Sequence, residues 1–75
     1  MADRNDLKIW VVDALKDKGG KSTIIEVARH IWENHEHELR ASGDLFFKWQ
    51  YDMRWAATAL RKEGVMSDSW ALKPK

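Results

Sequence analysis

The sequence predicts a mainly α-helical domain of the α+β class, in which three helices precede a short C-terminal two-stranded β-hairpin. Apolar residues recur at helical spacing in three segments, glycine or a polar loop ends each segment, and two short apolar runs then flank a polar turn. This order of elements is the plan of a winged helix-turn-helix domain, and we expect residues 1–75 to form one such domain. A three-helix bundle with a disordered tail is the alternative, but a disordered tail gains nothing from Trp70.

The first helix is predicted over residues 5–18. Asn5 or Asp3 is suited to cap its N-terminus, and the pair Gly19-Gly20 ends it. One face of this helix collects the apolar side chains Leu7, Trp10, Val11, Ala14 and Leu15. We expect that face to lie in the core.

The second helix is predicted over residues 23–39, where Thr23 and Glu26 have the spacing of a capping box. Its apolar stripe consists of Ile24, Ile25, Ala28, Ile31 and Trp32. The far end, residues 33–38, is polar on all sides, and we expect solvent to surround it.

The third helix is predicted over residues 45–63, with Asp44 as its N-cap and Gly64 as its stop. On a helical wheel of about 100° per residue, one face collects Phe46, Trp49, Met53, Ala56, Ala57 and Leu60. That face is predicted to pack against the other helices, which turns the opposite face towards solvent.

The hairpin is predicted over about residues 65–72, around a turn at 67–69. Alternation places Trp70 and Leu72 on one face, which we expect to cover the core. The ends of the chain, residues 1–4 and 73–75, are expected to fray.

Composition narrows the class of protein. The chain has no cysteine and therefore no disulfide, and it has no apolar run of about 18 residues and no apolar leader, which favours a cytoplasmic protein without a membrane span. The formal net charge is +1, but it divides into −2 over residues 1–44 and +3 over residues 45–75. We therefore expect an anionic partner to bind the C-terminal half.

The outward face of the third helix carries the candidate binding residues. Arginine, lysine, glutamine, tyrosine and threonine are the donors that contact phosphates and base edges in the major groove. Because a recognition helix reads bases mostly from its N-terminal half, the base or groove candidates are Lys48, Gln50, Tyr51 and Arg54. The candidates for backbone contacts are Thr58, Arg61 and Lys62, and at the flanks Lys21, Ser22, Ser67 and Ser69. A merely solvated polar face is the alternative interpretation.

Other kinds of site have weak support. His30, Glu33 and His37 share a helix face, and such groups bind zinc or nickel, but no cysteine and no HExxH pattern accompanies them. No nucleophile motif or phosphate-binding loop is present, and a chain of 75 residues offers little room for a closed pocket. We therefore predict no catalytic residue, no metal, no cofactor and no small-molecule substrate, and hence that the protein is not an enzyme.

Part of the sequence resembles a known family. The N-terminal winged-helix domain of Mrr-type restriction endonucleases is similar to this chain in a pattern made of Trp55-Ala56, Leu60 and Gly64-Val65, followed by Trp70 and Leu72. In that family an aromatic residue lies about one or two turns before the Trp-Ala pair, and Phe46, Phe47 and Trp49 have that position here. The resemblance covers roughly residues 20–72 and implies the fold and a role in DNA recognition. It does not imply a nuclease, because the catalytic domain of those enzymes has no counterpart here.

Two functions follow as expectations. The first is a DNA-binding winged helix-turn-helix module that places its third helix in the major groove of double-stranded DNA, as a small transcriptional regulator or an accessory factor of a restriction or phage-related system. The second is a winged-helix module for dimerisation or for binding a partner protein, without DNA. The near-zero net charge favours the second. The aromatic residues Phe47, Tyr51 and Trp55 on the polar face of the third helix either form an exposed patch for such a partner or pack against the second helix or the hairpin, and packing is the expectation for Trp55.

Overall fold

Three helices form the domain. The computed structural model describes residues 2–74 and contains α1 (Arg4–Asp17), α2 (Ile24–Arg40) and α3 (Leu45–Lys62). Each helix begins and ends within one residue of the bounds that the sequence predicts. The radius of gyration over Cα atoms is 11.6 Å, so the helices pack as one compact all-helical unit.

Helix α1 begins at a complete capping box. The Asp3 carboxylate accepts hydrogen bonds from the backbone N–H groups of Asn5 and Asp6, and the Asp6 carboxylate accepts one from the Asp3 N–H. Of the two predicted caps, Asp3 is therefore the one that is used. The exchange satisfies N–H groups that have no partner within the helix.

The other two helix starts differ from the prediction. Thr23 Oγ1 accepts from the Glu26 N–H at 3.2 Å, but the Glu26 carboxylate accepts from Ser22 Oγ instead of closing the capping box. Asp44 precedes α3 in a helical conformation, and its side chain makes no capping hydrogen bond. Its backbone carbonyl accepts from Phe47 at 3.0 Å, so a turn that is already helical leads into α3 without a side-chain cap.

The core lies between the inner faces of the three helices. Its buried apolar side chains are Leu7, Trp10, Val11, Ala14, Leu15, Val27, Ile31, Leu39, Leu45, Trp49, Met53, Ala56, Ala57, Leu60 and Met66. The faces predicted for α1 and α3 are buried, apart from Phe46, which is half-buried. On α2 the prediction for Ile25 is wrong, because its side chain is 68% exposed while Val27 is fully buried.

The second half of α2 bends. His35 has φ −132° and ψ 17°, which are not helical values, and its ring stacks on Trp10 of α1 with 3.9 Å between ring centroids. One turn later Leu39 is fully buried. The expectation that solvent surrounds the whole far end of α2 is therefore wrong at His35, which is half-buried against α1.

The segment after α3 returns to the core and meets the connector between α1 and α2. Gly64 ends α3 with φ 80°, and Met66 is buried. Lys21 pairs with Ala71 and Met66 with Leu72, each as an isolated antiparallel bridge. Within residues 2–74 the pairing does not extend into a sheet, so the hairpin predicted over 65–72 is not confirmed.

Trp70 and Leu72 are both half-buried and pack against the core, as their alternation predicts. The last described stretch of the chain therefore contributes to the core. Over the described residues, the structure contains no helix with the length and apolarity needed to cross a membrane.

Candidate nucleic-acid interface

Helix α3 presents one continuous face to solvent. The core stripe on its opposite side fixes the rotation of the helix, so the outward residues follow from the packing. The exposed residues along this face are Phe47, Gln50, Tyr51, Arg54, Thr58 and Lys62, which we call the α3 outer face. Phe47 is 85% exposed and Tyr51 is 74% exposed, which is unusual for aromatic side chains of this size.

The acidic residue within α3 and the one directly after it both lie off the α3 outer face. Asp52 is 4% exposed and lies on the inner side of the helix. Glu63, which follows the last helical residue, forms an ion pair with Lys8 of α1. Since all of α3 lies in the described part of the chain, its outer face carries cationic, neutral polar and aromatic groups and no carboxylate.

Lys48 is exposed but does not lie at the centre of the α3 outer face. It lies at the edge of the face, about 100° around the helix from Phe47. There it lines a shallow groove of about 300 Å³ together with Asp3, Asp44 and Asp52. Arg4 lines the same groove, so Lys48 lies among charges of both signs.

Trp55 does not belong to the α3 outer face. It is half-buried against the core, and the guanidinium carbon of Arg4 lies 3.8 Å above the centre of its ring. Packing against α2 or the hairpin is the expectation for Trp55. The contact found over its ring comes from Arg4, the first residue of α1. The exposed aromatic patch on α3 is therefore limited to Phe47 and Tyr51.

Arg61 holds the turn at 67–69 and does not project into solvent. Its Nε donates to the Ser67 carbonyl at 2.9 Å, its Nη2 lies 3.5 Å from the Ser69 carbonyl, and its guanidinium carbon is 5.5 Å from the ring centre of Trp70. Its donors are thus directed at the protein's own backbone. These contacts position the turn beside the C-terminal end of α3, and the phosphate contact expected of Arg61 stays a prediction.

Replacing Arg61 with alanine should loosen this turn. A charged donor that bonds a carbonyl contributes about 1.5–3 kcal/mol, so we expect the amide hydrogens of Ser67 and Lys73, which donate to Ala71 and Val65, to exchange about ten- to a hundredfold faster. Lys62→Ala removes the same charge from an exposed position and should leave both exchange rates unchanged. Equal exchange in the two variants would show that Arg61 does not hold the turn.

The predicted hydroxyl contacts are mostly engaged within the chain. Ser22 Oγ donates to Glu26, and Ser67 Oγ and Ser69 Oγ lie 3.1 Å apart. Thr58 Oγ1 donates to the Arg54 carbonyl at 3.1 Å. Ser69 and Lys21 are exposed, so Lys21 remains the cationic candidate at this flank.

The sequence prediction overlooked a groove between α2 and α3. It measures about 450 Å³ and is lined by Ala28, Arg29, Trp32, Phe46, Trp49 and Gln50. Trp32 and Trp49 stack with 6.1 Å between ring centroids, and the guanidinium carbon of Arg40 lies 5.2 Å from the ring centre of Trp32. Arg29 thereby joins Gln50 at one edge of the α3 outer face. One signal in the sequence could have pointed to Arg29, because it directly follows Ala28, which belongs to the predicted apolar stripe of α2.

Two of the three histidines of α2 contact side chains of their own chain. His30 Nε2 lies 3.5 Å from the Asp17 carboxylate, and His35 stacks on Trp10 and bonds Glu38. Across residues 2–74 no three side chains of the types histidine, aspartate and glutamate come together as metal ligands would. The weak candidates His30, Glu33 and His37 therefore do not converge.

The chain matches no protein-family model, no curated protein and no solved structure.

Proposed function

We propose that this protein is a winged-helix DNA-binding module that inserts the α3 outer face into the major groove of double-stranded DNA, as a small regulator or accessory DNA-binding factor. The observation that supports this most is the separation of charge on α3. Arg54 and Lys62 project outward, whereas Asp52 is buried and Glu63 is paired on the side of α1. An outward helix face with cations and no carboxylate attracts a polyanion.

The arrangement of α2 and α3 supports the helix-turn-helix part of the proposal. Residues 41–44 join the two helices, and four residues that include a glycine are typical of the turn in this motif. Gly43 has φ 60°, a conformation that a residue without a side chain adopts at little cost. The second helix of such a motif is the one that reads DNA, and here that helix is α3.

The C-terminal segment supports the winged part. The stretch 70–73 lies between 20–22 and 65–67, with Ser22 N–H bonded to the Trp70 carbonyl at 2.9 Å and Ser67 N–H to the Ala71 carbonyl at 3.0 Å. Extension of these contacts by one or two pairs on each side would make the small sheet of a winged helix. The sequence resemblance to the N-terminal domain of Mrr-type restriction endonucleases runs in the same direction, through Trp55-Ala56 and Gly64-Val65.

Binding of a protein partner, without DNA, is the second candidate. The exposed pair Phe47 and Tyr51 favours it, because aromatic side chains that form a contiguous exposed patch are typical of a docking surface. Symmetric pairing of two α3 outer faces is disfavoured, since an isologous contact brings together two copies of one patch that carries Arg54 and Lys62 and no carboxylate. A protein partner would therefore need carboxylates.

Salt dependence separates the two candidates. The exposed cations on the face, at its edge or at its flank are Lys21, Arg29, Lys48, Arg54 and Lys62. If three or four of them meet phosphates, the logarithm of the association constant for duplex DNA should fall against the logarithm of salt concentration with a slope of about −3 to −4. Amide resonances of residues 47–62 should move during the same titration at about 50 mM salt. Resonances that stay in place with every duplex would exclude the DNA-binding proposal.

A further inference from the structure

Phe47 and Gln50 give the α3 outer face a chemistry that goes beyond attraction to phosphate. We infer that α3 reads A·T base pairs, with the Phe47 ring packed on the C5-methyl group of thymine and the Gln50 amide bonded to adenine. This inference rests on the DNA-binding proposal and names the class of sequence that the same face selects.

Phe47 is both exposed and held in place. Its ring meets Phe46 edge-on, with 5.0 Å between centroids and an interplanar angle of 76°. Phe46 is itself fixed between Trp32, at 6.4 Å, and the guanidinium of Arg40, at 5.5 Å. The Phe47 ring therefore has a supported inner edge and a free outer face, 85% of the side chain being open to solvent. A rigid apolar surface in water gains most from a partner that is also apolar.

In the major groove, the apolar group on the base-pair edges is the thymine methyl. The other edges carry hydrogen-bond donors and acceptors, which a phenyl ring cannot satisfy. Phe47 is the third residue of α3 and therefore lies in the N-terminal half, which reaches the bases in a recognition helix. Contact with thymine removes apolar surface from water on both sides, whereas contact with a G·C pair leaves polar edges uncompensated.

Gln50 supplies the complementary contact. It lies one turn after Phe47 on the same side of α3 and is exposed at the edge of the groove that Arg29 and Trp32 line. A glutamine amide pairs with the N6 and N7 atoms of adenine through one acceptor and one donor. From Phe47 to Arg54 the helix rises about 10 Å, which spans roughly three base-pair steps of 3.4 Å. Phe47 and Gln50, about 4.5 Å apart along the helix axis, thus reach neighbouring base pairs, and Arg54 lies at the end of this span.

The charges of the surface favour DNA over a second copy of the chain as the partner that covers Phe47. Arg54 lies two turns after Phe47 on the same face, and Lys62 lies further along it. A purely apolar partner would leave these cations without compensation. A polyanion with methyl groups in its groove satisfies the aromatic and the cationic groups together.

The test uses the full chain and three labelled duplexes of equal length, in a fluorescence-anisotropy titration at low salt. One duplex contains A·T pairs, the second contains the same pairs with deoxyuridine in place of every thymidine, and the third contains G·C pairs. Burial of one methyl group corresponds to about a fourfold change in affinity. We expect the wild-type protein to bind the deoxyuridine duplex about fourfold more weakly per methyl contacted, and to bind G·C pairs more weakly still.

Variants assign the effect to residues. Phe47→Ala should bind the thymidine and deoxyuridine duplexes equally. Replacement of adenine with 7-deazaadenine should weaken binding by the wild-type protein and leave binding by Gln50→Ala unchanged. Ile25→Ala removes an exposed apolar side chain from α2 and should keep the full effect of the methyl group. Wild-type binding that is equal on the thymidine and deoxyuridine duplexes would overturn the inference and leave the DNA-binding proposal intact. Absence of binding to all three duplexes would overturn both.

Discussion

Leu39→Ala is expected to lower the free energy of unfolding by about 2–5 kcal/mol, although the sequence places this residue at the end of a polar helical segment. The Leu39 side chain has no exposed surface. Removal of a fully buried leucine loses its transfer free energy and leaves a cavity that the surroundings fill incompletely. A domain of this length has a total stability of only about 4–11 kcal/mol, so the variant should be close to unfolded at moderate temperature.

Ile25→Ala on the same helix provides the matched control. Its side chain is 68% exposed, so its loss should change stability by less than about 0.5 kcal/mol. Urea denaturation followed by far-ultraviolet circular dichroism measures both variants, and an unchanged m-value would show that the unfolded states are comparable. If Ile25→Ala were the more damaging of the two, the rotation of α2 described above would be wrong.

The contrast between these two residues shows where periodicity fails. In α1 and α3 the apolar residues keep the helical period from end to end, so the buried faces could be predicted from spacing. On a straight α2, Leu39 would lie about 80° around the axis from Ile31 and about 20° from Ala28, within the predicted apolar stripe but eight residues beyond Ile31. The bend at His35, where the backbone leaves helical values and the ring stacks on Trp10, changes the direction of the last turn. A contact with another helix, which spacing along α2 does not encode, accompanies that change.

The candidate interface also contains some residues whose exposure follows from helical spacing and others whose contacts do not. That Gln50, Tyr51 and Arg54 are exposed followed directly from the core stripe on the other side of α3, because one face determines the opposite one. The roles of Arg61 and Lys48 did not follow. Arg61 bonds the carbonyl of Ser67, and Lys48 shares a groove with carboxylates that include Asp3, at the other end of the chain. Such partners depend on the path of the backbone after each helix ends, which residue types alone do not give.

Removal of the two outward cations of α3 should have the largest effect on binding. We expect Arg54→Ala/Lys62→Ala to bind duplex DNA about a hundredfold more weakly at low salt, and to reduce the magnitude of the salt slope by about two. Each cation that meets a phosphate releases about one counterion, so the change in slope reports how many contacts were lost, whatever the sequence of the duplex. The measurement is the anisotropy titration repeated at several salt concentrations.

Lys16→Ala/Lys73→Ala removes the same number of positive charges from a different surface. These exposed lysines line one groove beside Val12 and Val65, on the side where α1 meets the C-terminal segment. Both double variants have the same net charge, so a long-range effect of charge would weaken them equally, whereas a contact at the α3 outer face weakens the first alone. Equal losses in the two variants, with equal changes in slope, would mean that DNA meets the protein without a defined face, and the proposal that α3 enters the major groove would be wrong. A loss confined to Arg54→Ala/Lys62→Ala assigns the binding to the α3 outer face, which carries cations and no carboxylate.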